Sequence, residues 1–302
     1  MRILVADDSQ LYRKMLQGLL CGWGYEVLLA SDGTEALQIL SSEDAPRLAI
    51  LDCQMPGLGG LELCERIREA KRRYVYTILL SAADLQSDVL KGFQLGADDY
   101  LCKPFNKLEL RTRLKVGELI VQNHDALAEA QQALEFEASH DSLLRTWNRR
   151  AIITLLGKEL RRANRKHTLL SILLADLDLF KRVNQTHGHL VGDIVLQSVA
   201  GKIARAVREC DYFGRYEGEE FLVVLPDCSG GEACVVAERV RHSICETPAA
   251  NVIEVTASIG VAQLRDGQGL SELLHQGDAA LYRAKQNGRN RVEMENTSET
   301  EP

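Results

Sequence analysis

The stretch Arg215-Tyr216-Glu217-Gly218-Glu219-Glu220-Phe221 sets two adjacent carboxylates beside a glycine. It lies between Asp211-Tyr212-Phe213 and the apolar run 222–225. Apolar segments on both sides of a glycine indicate a β-hairpin with the glycine at its tip, where backbone can approach a phosphate. Neighbouring glutamates at such a tip offer the oxygen ligands that Mg²⁺ prefers. The stretch therefore predicts a hairpin that presents carboxylates to a metal ion.

A second group of candidate residues follows the apolar run 172–175, which has the composition of a buried strand. Asp176 and Asp178 stand at the end of this strand. The positions that follow are Phe180, Lys181, Asn184 and Asp193. Together with the hairpin stretch, this arrangement resembles the GGDEF family of diguanylate cyclases, which join two GTP molecules into cyclic di-GMP.

The bulk composition limits the class of protein. With 302 residues, 45% of them hydrophobic, the chain is long enough for two domains with separate cores. A net charge of −7 gives no basic footprint for non-specific nucleic-acid binding. Eight cysteines without a CxxC pair favour reduced thiols over a zinc site. Without a signal segment or a membrane-length apolar run, the sequence predicts a cytoplasmic protein with no membrane partner.

Residues 1 to about 115 alternate short apolar strands with amphipathic helices, which predicts a doubly wound, five-stranded parallel α/β sheet. In such sheets, ligands gather at the carboxyl ends of the strands. The residues expected at that edge are Asp7, Asp8, Asp52, Ser81 and Lys103. Any one of them alone is more often a solvated polar residue at a strand end, but five together favour a phosphoacceptor site.

This half resembles the receiver domain of bacterial response regulators over nearly its whole length. The resemblance rests on the acidic pair, the run Asp52-Cys53-Gln54-Met55-Pro56 and Lys103-Pro104-Phe105. It implies that a histidine kinase phosphorylates Asp52, with Lys103 pairing with the phosphoryl group and Ser81 and Tyr100 acting as the switch. The implied Mg²⁺ ligands are Asp7, Asp8, Asp52 and the Gln54 carbonyl.

Residues 108 to 139 contain one glycine and no proline, and they predict a single helix that links the domains. An apolar seam follows steps of four and three, the period of a coiled coil. The seam consists of Val116, Ile120, Asn123, Leu127, Ala130 and Leu134. We expect parallel pairing of two subunits as a homodimer, with docking of the stripe on the adjoining domain as the alternative.

The second domain is expected over residues 140–293, with a disordered polar tail over 294–302. The resemblance implies a palm-like α/β nucleotide cyclase with a mostly antiparallel sheet. The opening motif is present in Asp141, Leu143 and Asn148-Arg149-Arg150. The family's Thr-Gly-Leu is replaced by Leu144-Arg145-Thr146, and Arg145 in place of the glycine is expected to disturb a tight turn.

The family reaction is attack of a ribose 3′-hydroxyl on the α-phosphate of a second GTP, with pyrophosphate leaving, and it occurs twice. The resemblance assigns metal binding to Asp176, the Leu177 carbonyl and Glu219. Glu220 either holds metal or assists deprotonation of the hydroxyl, and the sequence leaves these roles open. Asp178 is a further candidate ligand.

For GTP binding, the resemblance assigns the triphosphate to the backbone at Leu179 and Phe180, to Gly218 and to Lys181. Lys285 and Arg289, four positions apart, would hold its far end, although such a basic pair is usually a solvated helix face. The guanine-reading positions are Asn184 and Asp193, whose amide and carboxylate suit a purine edge. Alone, Asn184 is more often a helix-end residue.

The segment Arg208-Glu209-Cys210-Asp211 is an RxxD pattern that ends six positions before Glu217. In the family, an RxxD at this offset grips cyclic di-GMP and inhibits the enzyme. The competing interpretation is an ordinary salt bridge between Arg208 and Asp211. Arg239 or Arg241 is the expected second clamp.

One departure bears on activity: Glu217 stands where the signature has its first glycine. A negative charge beside the triphosphate is expected to cost about 1 to 2 kcal/mol if partly exposed. Because the metal, base and phosphate positions are all kept, the sequence predicts an active cyclase. The alternative is a degenerate domain that acts as a cyclic di-GMP or GTP receptor. A transcription factor is disfavoured, since no basic recognition helix that could bind DNA follows the receiver.

Overall fold

The computed structural model describes residues 1–70, 73–82, 92–246 and 253–295. The chain divides into two compact units, Met1–Gln132 and Ala133–Pro302. Most of the predicted tail, residues 296–302, lies outside the described residues.

The first unit contains a five-stranded parallel sheet in the order β2-β1-β3-β4-β5, as the alternating pattern predicted. Apolar side chains cover both faces of the sheet, and they form two core clusters. The strands are β1 Arg2–Ala6, β2 Glu26–Ala30, β3 Leu48–Asp52, β4 Tyr76–Ala82 and β5 Asp99–Lys103, and the helices between them are α1 Gln10–Gly22, α2 Gly33–Leu40 and α3 Gly60–Glu69. This connectivity brings the carboxyl ends of β1, β3, β4 and β5 to one edge.

The predicted linker helix is present as α4, Lys107–Ser139. Its first half packs on the sheet through the buried stripe Leu110, Leu114, Gly117 and Val121. Gly117 is required there, because a Cβ at this position would lie 2.5 Å from the Tyr76 ring.

This packed stripe is not the predicted coiled-coil seam. Val116, Leu127 and Leu134 of the seam are exposed, and only Ile120 packs partly against the first core. The helix therefore docks through a neighbouring face, and most of the seam faces solvent.

The second unit is built on a five-stranded sheet in the order β10-β9-β6-β8-β7. The sheet is antiparallel except for the β9–β10 pair, which agrees with the predicted mostly antiparallel cyclase fold. Its strands are β6 Leu170–Leu177, β7 Tyr212–Glu217, β8 Glu220–Pro226, β9 Ala257–Gln263 and β10 Val292–Met294. The helices are α5 Arg149–Lys166, α6 Phe180–His187, α7 His189–Ala206, α8 Gly230–Glu246 and α9 Leu270–Gln286, and they enclose two apolar cores.

The opening turn of the second unit, residues 141–147, is closed in spite of Arg145. The Asp141 amide donates to the Thr146 carbonyl (2.8 Å), and the Arg145 amide donates to the Asp141 carbonyl (2.9 Å). Arg145 takes the left-handed conformation that favours glycine, with φ of 59°. The substitution therefore keeps the turn, and we attribute to it a backbone strain of about 1 kcal/mol.

None of the helices in the described segments combines the length and the apolar character needed to cross a bilayer.

Candidate functional site

The receiver edge brings three carboxylates together. Ligand oxygens of Asp7, Asp8 and Asp52 all lie within 4.8 Å of one another, which suits a small divalent cation. Asp7 and Asp52 are buried, and Asp8 is exposed. The three side chains come from the adjacent parallel strands β1 and β3 or from the residues just after them, so the strand order alone creates the cluster.

Lys103 joins this cluster from the end of β5. Its Nζ donates to Asp7 Oδ2 (2.7 Å) and to Asp52 Oδ2 (2.8 Å). Burial raises the pKa of the Asp52 carboxyl, and the contact with Lys103 only partly offsets this. Burial disfavours the charge on Lys103, but its two carboxylate partners raise the pKa of the amine above its ordinary value.

The other predicted receiver residues come from β4, from β5 and from the segment that follows β3. Ser81 is buried at the end of β4, and burial raises the pKa of Tyr100 while a hydrogen bond with Ser81 acts against that rise. The Gln54 amide lies 3.5 Å from Asp52 Oδ1.

The cyclase carboxylates meet by a different route. β6 and β8 are antiparallel neighbours, and their register sets Asp176 directly opposite Glu220. Glu219 follows Gly218 in the two-residue tip of the β7–β8 hairpin, and Gly218 has φ of 52°, as a tight turn requires. The predicted hairpin and strand are confirmed, and they bring Asp176, Glu219 and Glu220 to one edge of the sheet.

Lys285 reaches this edge from α9. Its Nζ forms an ion pair with Asp176 Oδ2 at 2.9 Å. Burial raises the pKa of Asp176, and Lys285 lowers it in part. Burial also raises the pKa of Glu220, and the nearby negative charge of Asp176 adds to this. The carboxylates thus repel one another until a cation joins them.

Asp178 has a structural role in this arrangement. Its carboxylate accepts hydrogen bonds from Thr256 Oγ1 (2.6 Å), Ser258 Oγ (2.7 Å) and the Asn290 amide (3.0 Å). A carboxylate with three donors has little capacity left for a metal. The sequence offered no signal for these partners, since they lie about 80 and 112 residues further along the chain.

The predicted nucleotide residues surround the start of α6. Leu179 has φ of 56°, Phe180 is buried and Lys181 is exposed. The Asn184 amide rests against α7 at Gly192, where a Cβ would lie 1.9 Å from Asn184 Oδ1. Gly192, which precedes Asp193, leaves the space that the Asn184 side chain occupies, and sequence reasoning missed this role.

Gly288 follows the end of α9, as its predicted role of helix cap requires, and the alternative of a solvated basic pair on one helix face is not what the structure shows. α9 ends at Gln286, and Arg289 follows Gly288 with φ of 62°. Of the two basic residues, Lys285 lies in the helix and Arg289 lies beyond it. The backbone leaves the helical conformation at Gly288, where φ is 111°.

Glu217, which stands in place of the first glycine of the signature, is the last residue of β7. Its side chain is exposed and forms an ion pair with Arg149 (Nη1 to Oε2, 3.1 Å), whose guanidinium lies 4.9 Å from the Tyr216 ring centroid. The added charge is therefore balanced by a cation of the opening motif.

A second contact ties the hairpin to the opening turn. Arg215 donates to the Gly218 carbonyl at the tip (2.7 Å) and to Asp141 Oδ2 (3.1 Å). Asp141 Oδ1 accepts the amides of Leu143 and Leu144. Arg215 is thus a positioning residue for the hairpin tip that carries the carboxylates. The sequence indicated this role only through the position of Arg215 at the start of the stretch 215–221.

The RxxD segment is a compact turn. The Asp211 carboxylate accepts the Arg208 amide at 2.8 Å, and within the described residues no ion pair joins the two side chains. The salt-bridge interpretation is therefore wrong. Of the two candidate clamps, Arg239 donates to the Ala206 carbonyl beside this turn (2.8 Å), whereas Arg241 is held by Glu238 and Asn290.

Comparison with known proteins gives two family matches. The diguanylate cyclase GGDEF domain matches residues 138–291, and the response regulator receiver domain matches residues 3–115. The response regulator PleD of Caulobacter vibrioides is 31% identical over 299 residues, which cover 96% of this chain and 65% of PleD. The chain thus spans slightly less than two thirds of that relative.

Two solved structures resemble the second half of the chain. One is the coiled coil and GGDEF domain of DgcB from Caulobacter crescentus, in complex with c-di-GMP, which is 28% identical with a TM-score of 0.55. The match covers 63% of this chain and the whole of that solved chain. The other is the diguanylate cyclase SiaD from Pseudomonas aeruginosa, in complex with its activator SiaC, which is 34% identical with a TM-score of 0.52. That match covers 62% of this chain and 73% of the SiaD chain. Because the GGDEF match covers about half of the chain, this protein belongs to the GGDEF family of diguanylate cyclases, with a response regulator receiver domain ahead of that domain.

Proposed function

We propose that this protein is a cytoplasmic diguanylate cyclase that makes cyclic di-GMP from two GTP molecules under the control of receiver phosphorylation. The receiver domain would span 1–115, the helical stalk 108–139 and the cyclase domain 140–293. The observation that carries the proposal is the cross-strand pair Asp176 and Glu220, with Glu219 beside it at the hairpin tip.

The donor set of the cyclase edge fits Mg²⁺. Asp176 and Glu219, with the Leu177 carbonyl, would hold the ion, and Glu220 would either share it or accept the hydroxyl proton. All are hard oxygen donors, and the raised pKa values of Asp176 and Glu220 indicate carboxylates that gain from a cation. A bound Mg²⁺ supplies charge neutralisation for the transferring phosphoryl group.

In each half-reaction the 3′-hydroxyl oxygen of one GTP bonds to the α-phosphorus of the other. The bond from that phosphorus to the pyrophosphate oxygen breaks, and the hydroxyl proton passes to a carboxylate or water. We assign the triphosphate to the amides at the start of α6, Gly218, Lys181, Lys285 and Arg289. Lys285 would exchange its contact with Asp176 for a phosphate, since the structure joins the two side chains by one exchangeable ion pair. Asn184 and Asp193 would read guanine.

Regulation is assigned to the receiver. A histidine kinase would phosphorylate Asp52, and the new phosphoryl group would take over the Lys103 contact while Ser81 and Tyr100 rearrange. Asp7, Asp8, Asp52 and the Gln54 carbonyl would hold a second Mg²⁺.

We infer a homodimer, because the proposed reaction joins two GTP molecules. Each cyclase domain offers residues for one GTP, so two domains must face one another for both bonds to form. The exposed seam of α4 supports pairing through the stalk. Arg208 and Asp211, with Arg239 as the second clamp, are assigned to product inhibition by cyclic di-GMP.

The decisive experiment is incubation of the purified protein with GTP and Mg²⁺, with and without acetyl phosphate, followed by chromatographic detection of cyclic di-GMP. Product that rises with the phosphodonor supports the proposal. Folded, phosphorylated protein that yields no product overturns it.

A second candidate function is a cyclic di-GMP or GTP receptor that has lost turnover. The ion pair of Lys285 with Asp176 and the presence of Glu217 favour it. Glu219→Gln separates the two functions, since an enzyme loses product formation, whereas a receptor has none to lose and keeps binding cyclic di-GMP at Arg208 and Asp211.

A further inference from the structure

The turn after α9 places a strained backbone at a residue that we assign to the triphosphate. Arg289 has φ of 62° and Asn290 has φ of 44°, so two successive residues other than glycine lie in the left-handed region. This conformation costs free energy for a residue with a Cβ, and it persists only where surrounding contacts hold it. The contacts that hold these two residues therefore determine where Arg289 lies.

Two backbone hydrogen bonds anchor the turn, one at Arg289 and one at the residue after it. The Arg289 amide donates to the Ala284 carbonyl of α9 (3.0 Å), the bond that closes a Schellman helix end. The Asn290 amide donates to Asp178 Oδ2 (3.0 Å), which lies 112 positions earlier in the chain. The first bond is local to the helix end, so Asp178 supplies the long-range anchor.

Asp178 is itself held in one orientation. Its side chain is buried, its Oδ1 accepts from Ser258 Oγ (2.7 Å), and its Oδ2 also accepts from Thr256 Oγ1 (2.6 Å). The Asp178 amide donates to the Thr256 carbonyl (2.9 Å). A buried carboxylate with these partners cannot turn without losing hydrogen bonds, so it is a rigid support for the turn.

The Asn290 side chain adds another anchor, whereas the Arg289 side chain has none. Asn290 Oδ1 accepts from Arg241 Nη1 (2.8 Å), and Arg241 pairs with Glu238 of the same helix (2.8 Å). Arg289 is exposed, and within the described part of the chain no hydrogen bond or ion pair engages its guanidinium. The turn is thus fixed through its backbone and through Asn290, while the Arg289 cation is left available for a ligand.

We propose that Asp178 is a positioning residue that sets where Arg289 stands relative to Asp176, so that one triphosphate reaches both a metal at Asp176 and the guanidinium. Asp176 lies two residues before Asp178, near the end of β6. The strand that carries the proposed metal ligand therefore also carries the anchor of the phosphate-binding turn. A substrate held at two points requires a fixed spacing between them. The inference rests on the proposed function, which assigns Asp176 and Arg289 to GTP, and it adds Asp178 and Asn290.

The test measures binding of 3′-deoxy-GTP, which keeps the triphosphate but lacks the hydroxyl that attacks in the proposed reaction. Calorimetry on the full-length protein with Mg²⁺ should show a rise of about tenfold in Kd for Arg289→Ala, and a similar rise for Asp178→Ala. In the double variant, Asp178→Ala should add nothing to Arg289→Ala, because the anchor acts only through that side chain. Losses that add in the double variant overturn the proposal.

A second variant breaks the same hydrogen bond from its other side. Asn290→Pro removes the donating amide and leaves the buried carboxylate with Thr256 and Ser258, so it keeps the test valid if Asp178→Ala does not fold. It should weaken 3′-deoxy-GTP binding about tenfold, again with no further loss in Arg289→Ala. Folded Asn290→Pro with wild-type affinity refutes the positioning role.

Two matched controls separate position from charge and from packing. Asp178→Asn removes the charge, but its amide oxygen can still accept from Asn290 and Thr256 while its NH₂ donates to Ser258 Oγ. Ser258→Ala removes a hydrogen bond to Oδ1 and leaves those to Oδ2. Both should bind 3′-deoxy-GTP within about threefold of the wild type. A loss in either control as large as that in Asp178→Ala overturns the proposal, because charge or packing would then explain the effect.

Cyclase assays with GTP separate this inference from the proposed function. If the protein forms no cyclic di-GMP, yet Asp178 and Arg289 are coupled in 3′-deoxy-GTP binding, the enzyme is refuted and the positioning role stands. If the protein is an active cyclase whose two variants show additive losses, the enzyme stands and the positioning role is refuted. A wild type that does not bind 3′-deoxy-GTP refutes both.

Discussion

The receiver edge and the cyclase edge each combine carboxylates with a lysine, but they are assembled differently. In the receiver, Asp7, Asp8 and Asp52 converge because parallel strands end at the same edge, and Lys103 bridges two of them. In the cyclase, Asp176 and Glu220 are cross-strand neighbours, and Lys285 forms an ion pair with Asp176. Among the described residues, only the receiver trio has all its ligand atoms within 4.8 Å.

The difference indicates two levels of preorganisation. The receiver carboxylates are already close enough to share one cation, whereas in the cyclase Asp176 forms an ion pair with Lys285. The proposed cyclase function would therefore need a metal and a triphosphate to take over the Lys285 contact, whereas the proposed receiver site would need no nucleotide.

The largest expected effect tests the cyclase edge. Glu220→Gln removes a charge that faces the transferring group, and we expect cyclic di-GMP formation to fall by about 10²- to 10³-fold. Chromatography of product measures this, and phosphorylation of Asp52 by acetyl phosphate should be unchanged. Glu246→Gln, at an exposed glutamate of α8, is the control. Retention of half the wild-type rate would contradict the assignment.

The next effect tests whether the receiver cluster is preorganised. Asp8→Asn removes one of three charged ligands, and we expect Mg²⁺ affinity in the absence of nucleotide to fall by about tenfold. Mn²⁺ binding followed by electron paramagnetic resonance measures it. Glu219→Gln serves as the comparison, because it should alter metal binding only when GTP is present. Equal effects of both variants without GTP would remove the distinction between the two edges.

A pH dependence follows from the raised pKa of Glu220. The folded state holds the Glu220 proton more tightly than the unfolded state does, because the pKa of this carboxyl is raised in the fold. The free energy of unfolding therefore falls as pH rises above about 4.3, the ordinary pKa of a glutamate. Glu220→Gln should therefore melt higher than the wild type in metal-free buffer at pH 7, with a smaller difference at pH 4.5. Calorimetric melting across this range measures it, and a difference that grows as pH falls would refute the sign.

The smallest effect concerns Glu217. Because this side chain is exposed and paired with Arg149, Glu217→Gly should change the KM for GTP by less than about fivefold. Arg149→Ala leaves the charge unbalanced and should raise KM more than Glu217→Gly does. The double variant should behave like Glu217→Gly, and a large improvement in Glu217→Gly alone would show that the charge does reach the triphosphate.

Much of this architecture is local in the sequence. The parallel sheet, the stalk helix, the hairpin and the strand before Asp176 all follow from the periodicity of apolar residues and the position of Gly218, because a single helix or strand depends mainly on its own neighbours. The same local reasoning misjudged Arg145, which was expected to disturb its turn. A backbone can hold a left-handed residue when the hydrogen bonds around it compensate the strain, as those that join Asp141 to Thr146 and to Arg145 do.

The sequence by itself determined the two folds, the family and the set of acidic and basic residues at each edge. Tertiary structure alone decided which of these residues are in contact. Asp178 accepts hydrogen bonds from Thr256 and Ser258. Lys285 forms an ion pair with Asp176, and Glu217 forms one with Arg149. Tertiary structure also decided that the first half of α4 packs on its sheet at Gly117 and that most of the predicted seam is left exposed. The physical reason is distance along the chain: partners up to 112 residues apart are chosen by strand register and helix packing, which no local pattern encodes.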